Sequence, residues 1–416
     1  MCLKIIHLNH TDISGGAARA AYRIHHALRD LDVNSTMRVD SSTSGDWTVA
    51  SPKGKLRKAL TMIRPHLGKI ALRFLKTTNP ILHSPSIIPS GRVTSLNNSD
   101  ADILHLHWVQ GEMLSVADIG RLKKPVVWTL HDMWSFCGAE HYTHDFRFQH
   151  GYVKHNRPVY EHGFDLNRWI WERKKKHWQT PMHLVTPSHW LADCVAMSAL
   201  MQDWPVEVIA YPIDLERWKP VDKSLARQLL DLPMQAPLLL FGAMGGGQDP
   251  RKGFDLLQEA LKHLQRKIEG LQLVIFGQLA PHNSPDLGFP VHYTGHLHDD
   301  LSLRVLYSAV DVFLLPSRQD NLPNTGVEAL ACGTPVVAFN TCGLPDIVQH
   351  QQTGYLARAF EPEDIAEGIQ WILANKERYQ QLSTNARQFA VDNFSSKIVA
   401  QKYRRLYEQV LAKVKR

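Results

Sequence analysis

Apolar residues along this chain fall in short, nearly continuous blocks, each closed by a polar loop and usually followed by a run with helical spacing. The blocks Leu3–Leu8, Asp102–Trp108, Pro125–Leu130, Met182–Val185, Val206–Ala210, Pro237–Gly242, Leu271–Phe276, Val312–Leu315 and Pro335–Phe339 read as strands. Little alternation interrupts them, which is the pattern of strands covered on both faces in a parallel sheet. Helices are expected at about Ala17–Leu31, after His189, after Phe254 to about Lys267, from about Thr325 to Gly333, and over most of 361–416. Two consecutive β/α series result, with polar loops at strand ends. At 416 residues, two domains are the natural division.

The most informative stretch is Asp311–Phe339. The strand Val312–Leu315 is stopped by Pro316-Ser317, a polar loop with two prolines follows, and a short helix then leads to Pro335 and the next buried strand. The loop carries Asp320, eight residues before Glu328. Taken locally, Thr325-x-x-Glu328 has the spacing of a capping box, and Asp320 is a loop acid. Placement argues for more. Ligands of open α/β sheets bind at the carboxyl ends of strands, where helix N-termini aim bare N–H groups at anions.

This stretch resembles the acid-x7-acid signature of the family 4 retaining glycosyltransferases, usually Glu-x7-Glu and then Ala-x-Gly-x-Pro-Val. Here it stands as Asp320…Glu328, then Ala331-Cys332-Gly333-Thr334-Pro335-Val336, with Asp in place of the first Glu. The resemblance implies a GT-B fold, in which two Rossmann-like domains face a cleft. The implied domains are residues 1–215 on the acceptor side, 216–395 binding the nucleotide-sugar, and a final helix over 396–416 returning to the N-terminal domain. Tyr211–Trp218 resembles the family's interdomain crossover, with Pro212-Ile213 where an Asn-Gly is common. The same resemblance assigns Asp320 to the sugar hydroxyls and Glu328 to the ribose, and places Asn324, Thr325, Gly326 and Val327 around the donor.

Further positions follow it. Lys252, before Gly253, matches a lysine that the family places on the donor diphosphate; the family's arginine position falls on Ala243, so Arg251 is assigned the second charge. Gly15-Gly16, between the first strand and its helix, lets backbone approach a ligand closely, although Gly-x-Gly-x-x-Gly is absent. His131, ending a strand, matches a family histidine beside the donor sugar. The acceptor side is expected at Trp108, Asp132 and His141, in a region rich in His and aromatics. His105 and His107 share a strand face, but spacing offers no third metal ligand, and no metal or other cofactor is expected.

Residues 53–76 hold eight Lys or Arg and no acid, with Leu56, Leu60, Ile63, Leu67, Ile70 and Phe74 in helical register. This reads either as a packing helix, broken in two at Pro65, or as a helix lying on anionic lipid. The resemblance favours the second, and with it a peripheral location on the inner face of the cytoplasmic membrane. No apolar run approaches the ~18 residues of a membrane span. The first ten residues read as a strand rather than a signal peptide. Five scattered cysteines without Cys-x-x-Cys suit a reducing compartment. A net charge of +7 fits an anionic partner, but no aromatic-interleaved basic strand set marks nucleic-acid binding. The implied reaction moves a sugar from a UDP- or GDP-linked donor to a glycan or lipid-linked glycan in envelope polysaccharide synthesis. The alternatives are a sugar-nucleotide-binding protein and a sugar-nucleotide epimerase on the same fold.

Overall fold

A computed structural model of the chain describes residues 3–242, 249–281, 286–297 and 299–414. Ala243 and the rest of the glycine-rich segment to Gln248 lie outside the described residues. Two compact units form, Met1–Ala210 with Val399–Arg416, and Tyr211–Ile398. The division falls at 210 rather than 215 because Ile213 belongs to the second unit: its N–H donates to Phe394 O at 2.7 Å, and its carbonyl accepts from Ser396 N–H at 3.1 Å.

The first unit runs β1 (Lys4–Thr11), α1 (Gly16–Arg29), β2 (Asn34–Ser41), β3 (Val49–Ala50), α2 (Lys55–Leu72), β4 (Leu75–Thr77), α3 (Val93–Asn97), β5 (Ile103–Leu106), α4 (Val116–Gly120), β6 (Val126–Thr129), α5 (Arg147–His150), β7 (Glu161–Gly163), α6 (Leu166–His177), β8 (His183–Thr186), α7 (His189–Ala196) and β9 (Val206–Val208). Seven of its strands form one parallel sheet in the order β3-β2-β1-β5-β6-β8-β9. Even-numbered side chains such as Ile6, Leu104, Trp128 and Leu184 pack on one face, and odd-numbered Ile5, Ile103, Val127 and Val185 on the other. That double coverage produced the unbroken apolar blocks. β2 escaped the reading because four of the five residues Asn34-Ser35-Thr36-Met37-Arg38 are polar, while burial alternates along the strand.

The second unit continues with α8 (Lys223–Leu229), β10 (Leu238–Gly242), α9 (Phe254–Leu264), β11 (Gln272–Phe276), β12 (Val291–Gly295), α10 (Asp300–Ala309), β13 (Val312–Leu315), α11 (Asn324–Ala331), β14 (Val336–Phe339), β15 (Gly354–Ala357), α12 (Pro362–Leu373) and α13 (Lys376–Phe394). Its six strands are parallel, in the order β12-β11-β10-β13-β14-β15. A last helix, α14 (Ser396–Val414), rejoins the first unit from Val399 onward. Val399, Tyr403, Leu406 and Val410, in register in the sequence, are all buried there against Ile5, Ile103 and Val127.

Helix α2 is a single helix through Pro65, not two. A proline deletes one ladder hydrogen bond, and anchors on either side carry the helix across it. Arg64 donates to Ile88 O at 2.9 Å, and Gly68 lies where a β-carbon would strike the Glu112 carboxyl. Those two are its buried residues, so the polar edge faces the protein and the apolar stripe faces out.

Five histidines line the α1/α14 face of the first sheet. His7, His25, His105 and His107 are buried, and His131 follows β6, partly exposed. Burial, with repulsion from neighbouring histidines, drives His7 and His107 well below the ordinary imidazole value, and burial beside His131 does the same to His105. Burial and then His26 lower His25 to about 3, and burial lowers His131 to about 4. These groups fold neutral and charge on unfolding below about pH 6.5. The unfolded chain therefore binds more protons between pH 6.5 and 4, and stability falls as pH drops through that window. Glu161, raised to about 7 chiefly by burial, offsets about one proton. Unfolding at pH 5 is expected to take up on the order of four protons, read as a falling melting temperature by circular dichroism between pH 7 and 5.

Candidate active site

In the second sheet, β10 and β13 are neighbours, yet the chain leaves β10 towards β11 on one side and β13 towards β14 on the other. Loops leaving such a pair diverge and open a crevice at the carboxyl ends of the strands. The loop after β10 holds a turn of 3-10 helix at Pro250–Lys252, capped by the Asp249 side chain. Gly253 ends it in the left-handed region at φ 66°, and a β-carbon there would sit 1.9 Å from Pro316 O. Only glycine allows this approach. The loop after β13 is tied down in turn. Arg318 N–H donates to Arg251 O at 2.7 Å, and the Arg318 guanidinium grips Asp255 through two bonds of 2.6 Å.

These ties bring Lys252 Nζ to 2.5 Å from Asp320 Oδ2, with both side chains largely shielded from solvent. Arg251 does not join them through its guanidinium, which lies 2.7 Å from Asp249 on its own turn. Beside this pair α11 begins at Asn324, with Pro323 as its N-cap, no side-chain cap and no acid in its first turn. Thr325 therefore lies within the helix and the capping box does not form. Gly326 packs against Leu315 and Ile347, and the Val327 side chain is buried, so both can serve a ligand only through backbone. Glu328 is buried and accepts a long hydrogen bond from Tyr307 Oη at 3.4 Å. A lysine paired with an acid that stands four residues before a helix with no side-chain cap and no acid in its first turn suits a phosphate group.

The first sheet reverses direction between β1 and β5. There Gly15 (φ 94°, ψ 166°) precedes α1, which again has no side-chain cap and no acid in its first turn. Nothing lies within 4 Å of a β-carbon on Gly15, so its glycine is demanded by backbone conformation and not by crowding. Trp108, Asp132 and His141 form one cluster. Trp108 Nε1–H donates to Asp132 Oδ2 at 3.1 Å, His141 Nδ1 lies 2.6 Å from the same oxygen, and the two rings stack at 5.3 Å. Burial opposes the Asp132 anion, but the adjacent His141 overcomes it and leaves the carboxyl below its ordinary value. Sequence reasoning missed Ser84, whose Oγ lies 2.8 Å from His141 Nε2. Nothing in a Ser-Pro-Ser loop 57 residues away signals that contact. The basic run Arg173–Lys176 is also not wholly solvated: buried Lys174 donates to the carbonyls of Trp134, Cys137 and Gly138.

Two family models match, Glycosyltransferase Family 4 over residues 14–217 and Glycosyl transferases group 1 over residues 244–389. The chain belongs to the family 4 glycosyltransferases of the group 1 type. A D-inositol 3-phosphate glycosyltransferase of Segniliparus rotundus is 31% identical over 183 residues, covering 42% of this chain and 40% of its own length. A GDP-mannose-dependent phosphatidylinositol monomannoside mannosyltransferase of Mycobacterium tuberculosis is 32% identical over 143 residues, 31% of this chain and 37% of its own. The chain thus spans less than half the length of these relatives. Sucrose-phosphate synthase of Thermosynechococcus elongatus superposes with a TM-score of 0.65 at 19% identity, over 99% of this chain and all of that one. Anabaena HepE, solved with UDP and glucose, gives 0.64 at 17% over 98% and 100%. The architecture is GT-B.

Lys252→Ala is expected to lower turnover of an activated sugar donor on the order of a hundredfold, as loss of a charge contact to a leaving group does. Arg251→Ala, whose guanidinium rests on Asp249, should lower it by less than about tenfold on the same scale. Initial rates for the two variants, with melting temperatures to confirm folding, provide the check.

Proposed function

We propose that the protein is a retaining glycosyltransferase that moves a sugar from a UDP- or GDP-linked donor to a glycan acceptor, lipid-linked, in cell-envelope polysaccharide synthesis. The observation that carries this reading is Lys252 paired with Asp320 beside the uncapped N-terminus of α11. The fold shared with HepE bound to UDP and glucose supports the donor class, and the GDP-mannose-dependent relative keeps the guanine donor beside it. In the reaction the leaving group is a nucleoside diphosphate whose charge grows as the bond to the sugar breaks. Lys252 and the N–H groups at the starts of α1 and α11 stabilise that charge. Glu328 accepts from the ribose hydroxyls, Asp320 holds sugar hydroxyls, and His131 contacts the sugar. The acceptor hydroxyl attacks the face the diphosphate leaves, and the leaving phosphate takes its proton. These cationic and N–H groups replace a divalent metal. The cluster Trp108–Asp132–His141 presents a ring and a carboxylate to the acceptor.

The helix α2 supports a membrane location. Leu56, Leu60, Met62, Ile63, Leu67, Ile70 and Phe74 are 43% to 75% exposed, and all the lysines and arginines of 53–76 except Arg64 are exposed. A basic helix with its apolar side chains outward is built to lie in a lipid headgroup layer. Among the described residues no helix is long and apolar enough to cross the membrane.

Turnover is expected to survive EDTA, and the product to keep the donor's anomeric configuration in its NMR spectrum. Dependence on Mg²⁺ or Mn²⁺, or an inverted anomer, sinks the mechanism; a sugar-nucleotide isomer formed without acceptor identifies an epimerase instead. Co-sedimentation with anionic liposomes should weaken with salt, since each Lys or Arg at such a surface contributes about 1 kcal/mol. Equal binding to neutral liposomes would count against the basic face.

A further inference from the structure

Three of the neutral histidines form a line that ends at the residue assigned to the sugar. His131 Nε2 lies 3.2 Å from His107 Nδ1, and His107 Nε2 lies 2.9 Å from His7 Nδ1. His7, on β1, is fully buried, and its remaining nitrogen, Nε2, has no hydrogen-bond partner among the described residues. The flanking histidines are committed elsewhere. His105 meets Tyr407 Oη and Thr129 Oγ1 at 2.7 and 2.8 Å, and His25 meets Ser35 Oγ and Thr48 Oγ1 at 2.7 and 2.8 Å. Their rings wedge the line in place, His105 with its centroid 4.1 Å from that of His107 and 4.7 Å from that of His7.

A neutral imidazole has one N–H, so the line admits two consistent proton arrangements. In the first, His7 Nδ1–H donates to His107 Nε2 and His107 Nδ1–H donates to His131 Nε2; His7 Nε2 is then a bare lone pair. In the second every proton is reversed, and His7 Nε2–H becomes a buried donor facing no acceptor. A buried donor without an acceptor loses its hydrogen bond to water and gains none in return, and orphaned N–H groups are rarer than under-used acceptors. The first arrangement wins. We propose that His7 and His107 are positioning residues that hold His131 as its Nδ1–H tautomer, so that it meets the transferred sugar as a hydrogen-bond donor. The proposal rests on the reading of His131 as a sugar contact.

The test is the histidine side-chain nitrogen spectrum of the full-length protein labelled with ¹⁵N-histidine, with the His131 signals assigned by their loss in His131→Gln. The expected wild-type pattern is a protonated Nδ1 and an unprotonated Nε2 on His131. In His107→Phe, which keeps an aromatic ring, His131 is expected to become a mixture of tautomers while kcat falls at least about tenfold, as loss of an orienting partner does, and the KM for the donor changes little. A wild-type His131 protonated on Nε2 overturns the proposal without any variant. So does an unchanged His131 tautomer in His107→Phe, even with activity lost, since that marks a structural role. Stoichiometric metal in the purified protein, held by His7, His105 and His107, overturns it as well. If the wild-type protein transfers sugar from neither donor, the proposed activity fails while the spectrum still decides the tautomer.

Discussion

Everything the second unit offers a ligand depends on one constraint of parallel sheets: adjacent strands whose connections run to opposite sides cannot close the space above their ends. β10 and β13 are that pair. Their loops carry Lys252 and Asp320, 68 residues apart in sequence and 2.5 Å apart in space. Neither residue is placed by its own loop alone. Gly253 admits the carbonyl of Pro316, Arg318 reaches back to Pro250 and Asp255, and the two loops become one surface. The first unit repeats the constraint between β1 and β5, where Gly15 leads into α1, a helix with no side-chain cap.

The two units treat charge in opposite ways. Before α11 the protein places an ammonium and a carboxylate in contact, Lys252 with Asp320, each compensating the other's loss of water. Between the first sheet and α1 it removes charge, because burial holds His7, His25, His105 and His107 neutral. Neutral imidazoles each give and accept one hydrogen bond, which makes direction, not charge, the property that passes along the line.

Helix α2 shows that amphipathic spacing does not say which face is turned inward. Its stripe predicted a helix correctly, and packing helices and membrane helices share that stripe. What decides is the anchoring: Arg64 hydrogen-bonded to Ile88 O and Gly68 pressed on Glu112 face the protein, which leaves Leu56, Leu60, Ile63, Leu67 and Ile70 outward.

The sequence by itself determined the alternation of strands and helices, since double burial writes itself as unbroken apolar blocks; Asp320 and Glu328 stand out by their place after a strand together with the family resemblance, and Lys252 by the resemblance alone. It determined that α14 has an apolar stripe at Val399, Tyr403, Leu406 and Val410. It could not show the strand β2, which lies between β3 and β1 and is made mostly of polar residues. Nor could it show that Arg251 turns to Asp249, because a side chain's choice of partner depends on distances of a few ångströms that spacing does not encode. Tertiary structure alone brought Ser84 to His141, and His7 to His107 and His131. The histidine contacts follow from β1, β5 and β6 lying side by side, and strand order is settled by how the sheet packs, a quantity with no local trace in the chain.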